Sequence, residues 1–155
     1  MINMKLVEIN KEEKSKLERL MQLYLHELST YFPADYRGNT CEYLYDLSTY
    51  FNNNKSYFIQ VEDKIIGFIL LDINEDYYEI SEIFIVNNFK KNHYGEQAAN
   101  EIFNMYPGNW KIKAVPNSPN AEMFWDKVIK RYTNNNYKKE KTGKYNRPEY
   151  YFNNR

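Results

Sequence analysis

Glu82-Ile83-Phe84-Ile85-Val86-Asn87-Asn88-Phe89-Lys90-Lys91-Asn92-His93-Tyr94-Gly95-Glu96-Gln97-Ala98-Ala99 is the stretch whose reading decides the fold. It opens as an apolar run, turns through a polar loop holding one glycine, and continues with helical spacing. That is a strand, a tight turn and a helix in about twenty residues. The first turn of such a helix presents free backbone N–H groups and the positive end of the helix dipole. It is a natural seat for a pyrophosphate, and Lys90 and Lys91 add positive charge beside it. A carboxylate, Glu82, lies just upstream on the expected buried strand. The combination points to an enzyme that holds a nucleotide-tailed cofactor.

Upstream of this stretch, Met4 to Ile9 reads as a short strand. Lys11 to Leu28 follows as a helix, with Leu17, Leu20, Met21, Tyr24, Leu25 and Leu28 on one face. Asn10 and Glu13 come close to a capping box, and Pro33 blocks continuation. Thr40 to Phe51 reads as a second, shorter helix with Leu44, Leu47, Tyr50 and Phe51 as its apolar side. Ser56 to Val61 and Lys64 to Ile73 form a hairpin through Glu62-Asp63, and Tyr77 to Val86 is a strand covered on both faces.

Downstream, Tyr94 to Met105 is a helix burying Ala98, Ala99, Ile102 and Phe103, and Pro107-Gly108 ends it. Trp110 to Val115 is a strand, and Asn117-Ser118-Pro119 opens a helix through Tyr132. Tyr137 to Thr142 and Tyr150 to Asn153 are expected closing strands. The class is α/β in the α+β sense, in the order β-α-α-β-β-β-α-β-α-β-β.

The chain has 155 residues, enough for one domain over residues 1–155 with a substantial core. Its formal net charge is +0, so no global field favours nucleic acid or an anionic membrane. Neither is an expected partner. The one cysteine, Cys41, forms no internal disulfide and fits a reducing compartment. His26 and His93 show no metal-ligand spacing, so no metal is expected. Met1-Ile2-Asn3-Met4-Lys5 lacks the pattern of an export signal, and no apolar run matches a membrane span. The expectation is a soluble, cytoplasmic protein. The 16 tyrosines and the clusters Asn52-Asn53-Asn54 and Asn134-Asn135-Asn136 read as composition bias, with the asparagines at turns.

The element order and the cofactor turn together resemble the GCN5-related N-acetyltransferase (GNAT) superfamily. That family's signature at the turn is Gln/Arg-x-x-Gly-x-Gly/Ala, and the matching residues are Lys90-Lys91-Asn92-His93-Tyr94-Gly95. Lys90 stands for Arg or Gln, His93 replaces the first glycine, and Gly95 keeps the second. Val115-Pro116-Asn117, Ala121, Phe124-Trp125 and Val128-Ile129 look like the family's fifth strand and fourth helix. The resemblance covers nearly the whole chain. It implies a mixed, mostly antiparallel sheet of about six or seven strands flanked by about four helices.

It also implies acetyl transfer from acetyl-CoA, as co-substrate, to an amine. Phe84, Ile85 and Val86 would pair with the pantetheine arm, and N–H groups from about Lys91 to Glu96, Asn92 and Tyr94 among them, would hold the pyrophosphate. Asn117 either caps the fourth helix or touches the same arm, and Phe124 lies beside it. Many members carry a tyrosine acid directly after the phenylalanine matching Phe124. This chain has Trp125 there, and indole cannot serve as a proton donor in that sense.

Acyl transfer needs a deprotonated amine and a polarised thioester carbonyl. Glu82 is the first choice for the base, Glu79 the reserve. The alternative for Glu82 is a carboxylate at a sheet end paired with a lysine. The family's acceptor pocket maps onto Tyr24, Glu27, Tyr31 and Tyr36, aromatic faces and a carboxylate that suit a cationic amine and equally an ordinary hydrophobic rim. The acceptor is a small-molecule or peptide amine that the sequence does not name. A homodimer is common among similar proteins. The rival readings are a degenerate acyl-CoA-binding member, suggested by His93 and Trp125, and a protein-interaction module that keeps only the scaffold.

Overall fold

In the computed structural model, which describes residues 3–155, the apolar runs become strands of one seven-stranded sheet. Met1 and Ile2, with which the N-terminal reading began, lie outside the described residues. In chain order the elements are β1 (Met4–Glu8), α1 (Lys14–Leu28), β2 (Tyr36–Arg37), β3 (Glu42–Tyr43), β4 (Lys55–Val61), β5 (Lys64–Ile73) and β6 (Tyr78–Ile85). Then come α2 (Tyr94–Met105), β7 (Asn109–Lys113), α3 (Pro119–Tyr132), β8 (Lys138–Thr142) and β9 (Arg147–Asn153). The sheet order is β1-β4-β5-β6-β7-β9-β8, and β2 and β3 form a separate small hairpin.

All neighbours in the large sheet are antiparallel except β6 and β7. A parallel pair needs a long crossover, and α2 supplies it. The β6–β7 pairing is short, joining only Tyr78, Glu79 and Ile80 to Trp110, Lys111 and Ile112. Beyond that point β6 stays with β5 as far as Ile85, while β7 stays with β9. The sheet therefore forks between them.

Side chains alternate across a strand, so each strand feeds two cores. On one face Ile69, Leu71, Ile80, Ile112 and Trp110 pack under Ala98, Ile102 and Phe103 of α2 and Val128 and Ile129 of α3. On the other, Phe58, Phe68, Leu70 and Phe84 pack under Leu17, Met21, Tyr24 and Leu25 of α1. Both faces of the central strands are covered, as the apolar run in β6 predicts.

The expected helix over Thr40–Phe51 is not formed, and the chain has three α-helices among the described residues. Cys41 adopts φ 61°, which breaks a right-handed helix at its start. Gln22 of α1 then clamps the Tyr43 backbone from both sides, donating to its carbonyl at 2.8 Å and accepting from its N–H at 2.9 Å. Only a 3₁₀ turn, Ser48–Phe51, remains of the helical spacing, and it still buries Tyr50. Two caps also differ. Asn10 makes no side-chain cap, and Glu13 instead pairs with Lys16 at 3.1 Å. At α3 the cap is Ser118, whose Oγ accepts from the Ala121 N–H at 3.1 Å; Asn117 lies one residue earlier at φ 63°.

Candidate active site

The fork in the sheet opens into a cleft of about 420 Å³, a volume suited to a small ligand or a cofactor arm. One wall is β6 from Ile80 to Ile85, and the opposite wall holds Lys113 and Val115. The start of α2 and the residues Ala121, Phe124 and Trp125 of α3 close one end, and Tyr24, Glu27, Leu28 and Tyr31, from α1 and the turn after it, close the other.

At the α2 end the turn takes an unusual backbone. Lys91 and His93 both have positive φ, at 71° and 63°. Such left-handed positions usually fall to glycine, yet the histidine occupies one with its side chain 71% exposed. The His93 side chain therefore leaves the turn's interior free. Gly95 lies two residues on, where a Cβ would stand 3.2 Å from the Phe124 ring. Its missing side chain lets α2 approach α3 at the cleft. Lys91, His93, Tyr94, Gly95 and Glu96 all line the cleft, as does Phe124. Lys90 lines it too, but its ammonium pairs with Glu27 and sits 6.0 Å from the Phe84 ring centre.

Along β6 the backbone is divided between the two sides. The Val86 N–H is committed to the Ile66 carbonyl at 2.8 Å, and Phe84 pairs with Phe68 of β5. Strand alternation turns Ile83 and Ile85 the other way, toward the fork. Phe84 and Ile85 line the cleft; Val86, Asn92 and Asn117 stand outside its lining. Asn92 folds back on its own turn, with weak contacts to the Phe89 and Lys90 carbonyls, and Asn117 donates to the Tyr31 carbonyl at 3.1 Å.

Glu82 lines the cleft. Tyr24 donates to its Oε1 at 2.5 Å, and Tyr45 donates to its Oε2 at 2.9 Å. No lysine pairs with it among the described residues. Burial pushes its carboxyl above the ordinary carboxylate range, and the two hydroxyls and the Arg147 guanidinium draw it part of the way back. Burial and the neighbouring Glu82 raise both phenols, so they stay protonated donors. Glu79 is also raised, by burial, against the pull of Lys113, but it lies outside the cleft lining. A bulge at Ser81 separates the two carboxylates, and Ser81 Oγ meets the Tyr50 hydroxyl at 2.8 Å. Tyr24, Glu27 and Tyr31 reach the cleft, whereas Tyr36 lies on the β2–β3 hairpin, 53% exposed, against Tyr43.

Three residues that act on the site escape a sequence reading. Tyr45 is hidden by the helical spacing around it, which directs attention to Leu44 and Leu47. Lys113 and Arg147 come from strands far apart in the chain, joined only by the β7–β9 pairing.

The acetyltransferase (GNAT) family model matches residues 17–124, which include β6, the α2 turn and the start of α3. The chain belongs to the GNAT acetyltransferase family. No curated protein matches it. Solved structures show the same fold at low identity. An acetyltransferase of Thermus thermophilus superposes with a TM-score of 0.71 at 13% identity, covering 97% of each chain. A spermidine N-acetyltransferase of Vibrio cholerae, solved with CoA and spermine, gives a TM-score of 0.63 at 12% identity, covering 97% of this chain and 95% of that one. An N-acetyltransferase of Thermoplasma acidophilum, in complex with coenzyme A, gives 0.64 at 11% identity, covering 97% and 99%.

Proposed function

We propose that this protein is an acetyl-CoA-dependent N-acetyltransferase, with residues 1–155 acting as one acyltransferase domain. The observation that carries the reading is Glu82, a carboxyl raised by burial and held by two phenols beside a strand edge that opens into the fork. CoA-bound relatives of the same fold support the choice of co-substrate.

In this reading the N–H groups of the α2 turn, from Lys91 to Glu96, take the diphosphate, helped by the helix dipole. The pantetheine arm runs along β6 at Ile83 and Ile85, where the backbone faces the fork. Gly95 and Phe124 shape the passage. The acceptor amine enters from the α1 end, past Tyr24, Glu27 and Tyr31. Glu82 takes its proton, directly or through water. The neutral nitrogen attacks the thioester carbonyl carbon, and backbone N–H groups near Ile85 stabilise the developing oxyanion. The C–S bond breaks and the thiolate departs, so the acetyl group moves without a covalent enzyme intermediate. Cys41 is exposed on the α1-side hairpin turn and is absent from the cleft lining.

Thiol release from acetyl-CoA with a panel of primary amines tests the proposal. Amine-dependent release in the native protein, lost in Glu82→Gln, is the expected result. Protein that binds CoA but releases no thiol with any amine overturns it.

A further inference from the structure

The acceptor end of the cleft carries two cations that the chemistry above does not use. Along β7, Trp110, Ile112 and Ala114 enter the core beneath α2 and α3. Alternation therefore turns Lys113 to the α1 face. On β9, Tyr150 and Phe152 enter the same core, which turns Arg147 to the α1 face as well. Glu82 opens onto that face too, because it bonds to Tyr24 of α1. Lys113, Arg147 and Glu82 line one cleft.

Both cations are half-buried, and neither lies within 4.0 Å of a carboxylate oxygen among the described residues. Their neighbours are otherwise occupied. Lys90 is paired with Glu27, and Lys111 sits over the Tyr77 ring at 5.5 Å. Glu79 feels the charge of both Lys113 and Arg147, and Glu149 that of Lys113, from beyond ion-pair distance, and neither carboxylate lines the cleft. The Arg147 Nε–H donates to the Ala114 carbonyl at 2.6 Å. That bond anchors the guanidinium and leaves its two terminal nitrogens for another partner. The charge is felt at Glu82 and at Tyr24. A half-buried cation whose nearest carboxylates stand beyond ion-pair distance keeps its donors free, and an oxyanion from a ligand can take them.

Building on the acyl-transfer reading, we infer that the acceptor is a zwitterion: an amine that also bears an oxyanion, held by Arg147 and Lys113 while its amine meets Glu82. The oxyanion is a carboxylate, as in an amino acid, or a phosphate. An arginine fork matches either group. A polyamine would bring further positive charge onto this floor and is disfavoured there, although a fold neighbour was solved with spermine.

Matched acceptors separate these cases: L-phenylalanine against its amide, L-lysine against cadaverine, and O-phosphoethanolamine against ethanolamine. The readout is kcat/KM for thiol release. The anionic member of at least one pair is expected to be favoured by about tenfold or more, and Arg147→Met and, separately, Lys113→Met to erase that preference through KM. Which pair shows it identifies carboxylate or phosphate. Equal or better use of the amide, the diamine and ethanolamine overturns the inference and leaves the acyl-transfer reading standing. A second measurement needs no turnover: binding of N-acetyl-L-phenylalanine and its amide, and of N-acetyl-phosphoethanolamine and N-acetylethanolamine, to CoA-loaded protein. Arg147-dependent preference for an anionic product, with no amine turned over, keeps the anion site and removes the acyl-transfer reading. Absence of that preference, with no turnover, removes both.

Discussion

A carboxyl shielded from water keeps its proton longer, and Glu82 is so shielded while two phenols and Arg147 oppose the effect. If it is the base, kcat/KM rises with pH as Glu82 ionises, with the limb above the ordinary glutamate value of 4.5. Glu82→Gln is expected to lower kcat by about 10²–10⁴ and flatten that limb in a pH–rate profile. Tyr45→Phe removes a donor that favours the carboxylate. The limb should then move to higher pH. The same shift links to stability. The folded pKa is raised, so the contribution of Glu82 is fully present below its unfolded pKa and is lost as pH rises through the folded one. Urea midpoints measured across that window should fall with rising pH, and less so in Glu82→Gln. At the turn before α2, His93 holds φ 63° at a cost of about 1–2 kcal/mol for an L-residue. His93→Gly is expected to keep CoA affinity and roughly native stability in calorimetry, because the relief is offset by about 0.5–1 kcal/mol of added chain entropy. His93→Val, a branched side chain at positive φ, should weaken CoA binding. Glu82 is legible from its place ahead of a polar turn. Its partners are not, since Tyr24 and Tyr45 reach it from two separate segments and the charge of Arg147 acts on it from a third.

At the scale of elements, the strand–turn–helix of β6 and α2 is readable because an apolar run, a glycine and helical spacing all agree locally. The segment before β4 shows the opposite. Leu44, Leu47, Tyr50 and Phe51 carry helical spacing, but the Gln22 clamp on Tyr43 is a contact across 21 residues that no local pattern encodes. The fork has the same character. No local pattern in β6 or β7 says that their pairing stops after three residues; it ends at Ile80, just before the bulge at Ser81, beyond which β6 keeps to β5 and β7 to β9. Beneath the fork, Gly67 of β5 lies so close to β6 that a Cβ would stand 1.9 Å from the Phe84 carbonyl oxygen. Backbone cannot yield as a flexible side chain does. Gly67→Ala is expected to destabilise the protein by about 3 kcal/mol or more, read as a lower urea midpoint, and to weaken CoA binding by displacing β6.

For the whole molecule, the two-faced core makes the cleft a meeting place of α1, the sheet and the α2–α3 pair. A ligand bound only by the folded chain should stabilise all of them together. CoA at a hundredfold excess over its Kd should add about 2.7 kcal/mol. Scanning calorimetry should then show a melting point raised by about 5–10 °C for a chain of this size. The outer borders of the sheet complete the picture. β1 ends one side with Lys5 and Glu8, and β8 ends the other with Lys138, Lys139, Glu140 and Lys141. Charge so placed discourages stray chains from docking edge to edge and seeding aggregates. The protein thus guards the borders of its large sheet against unwanted β-partners while the margin of β6 at the fork stays recessed in the interior.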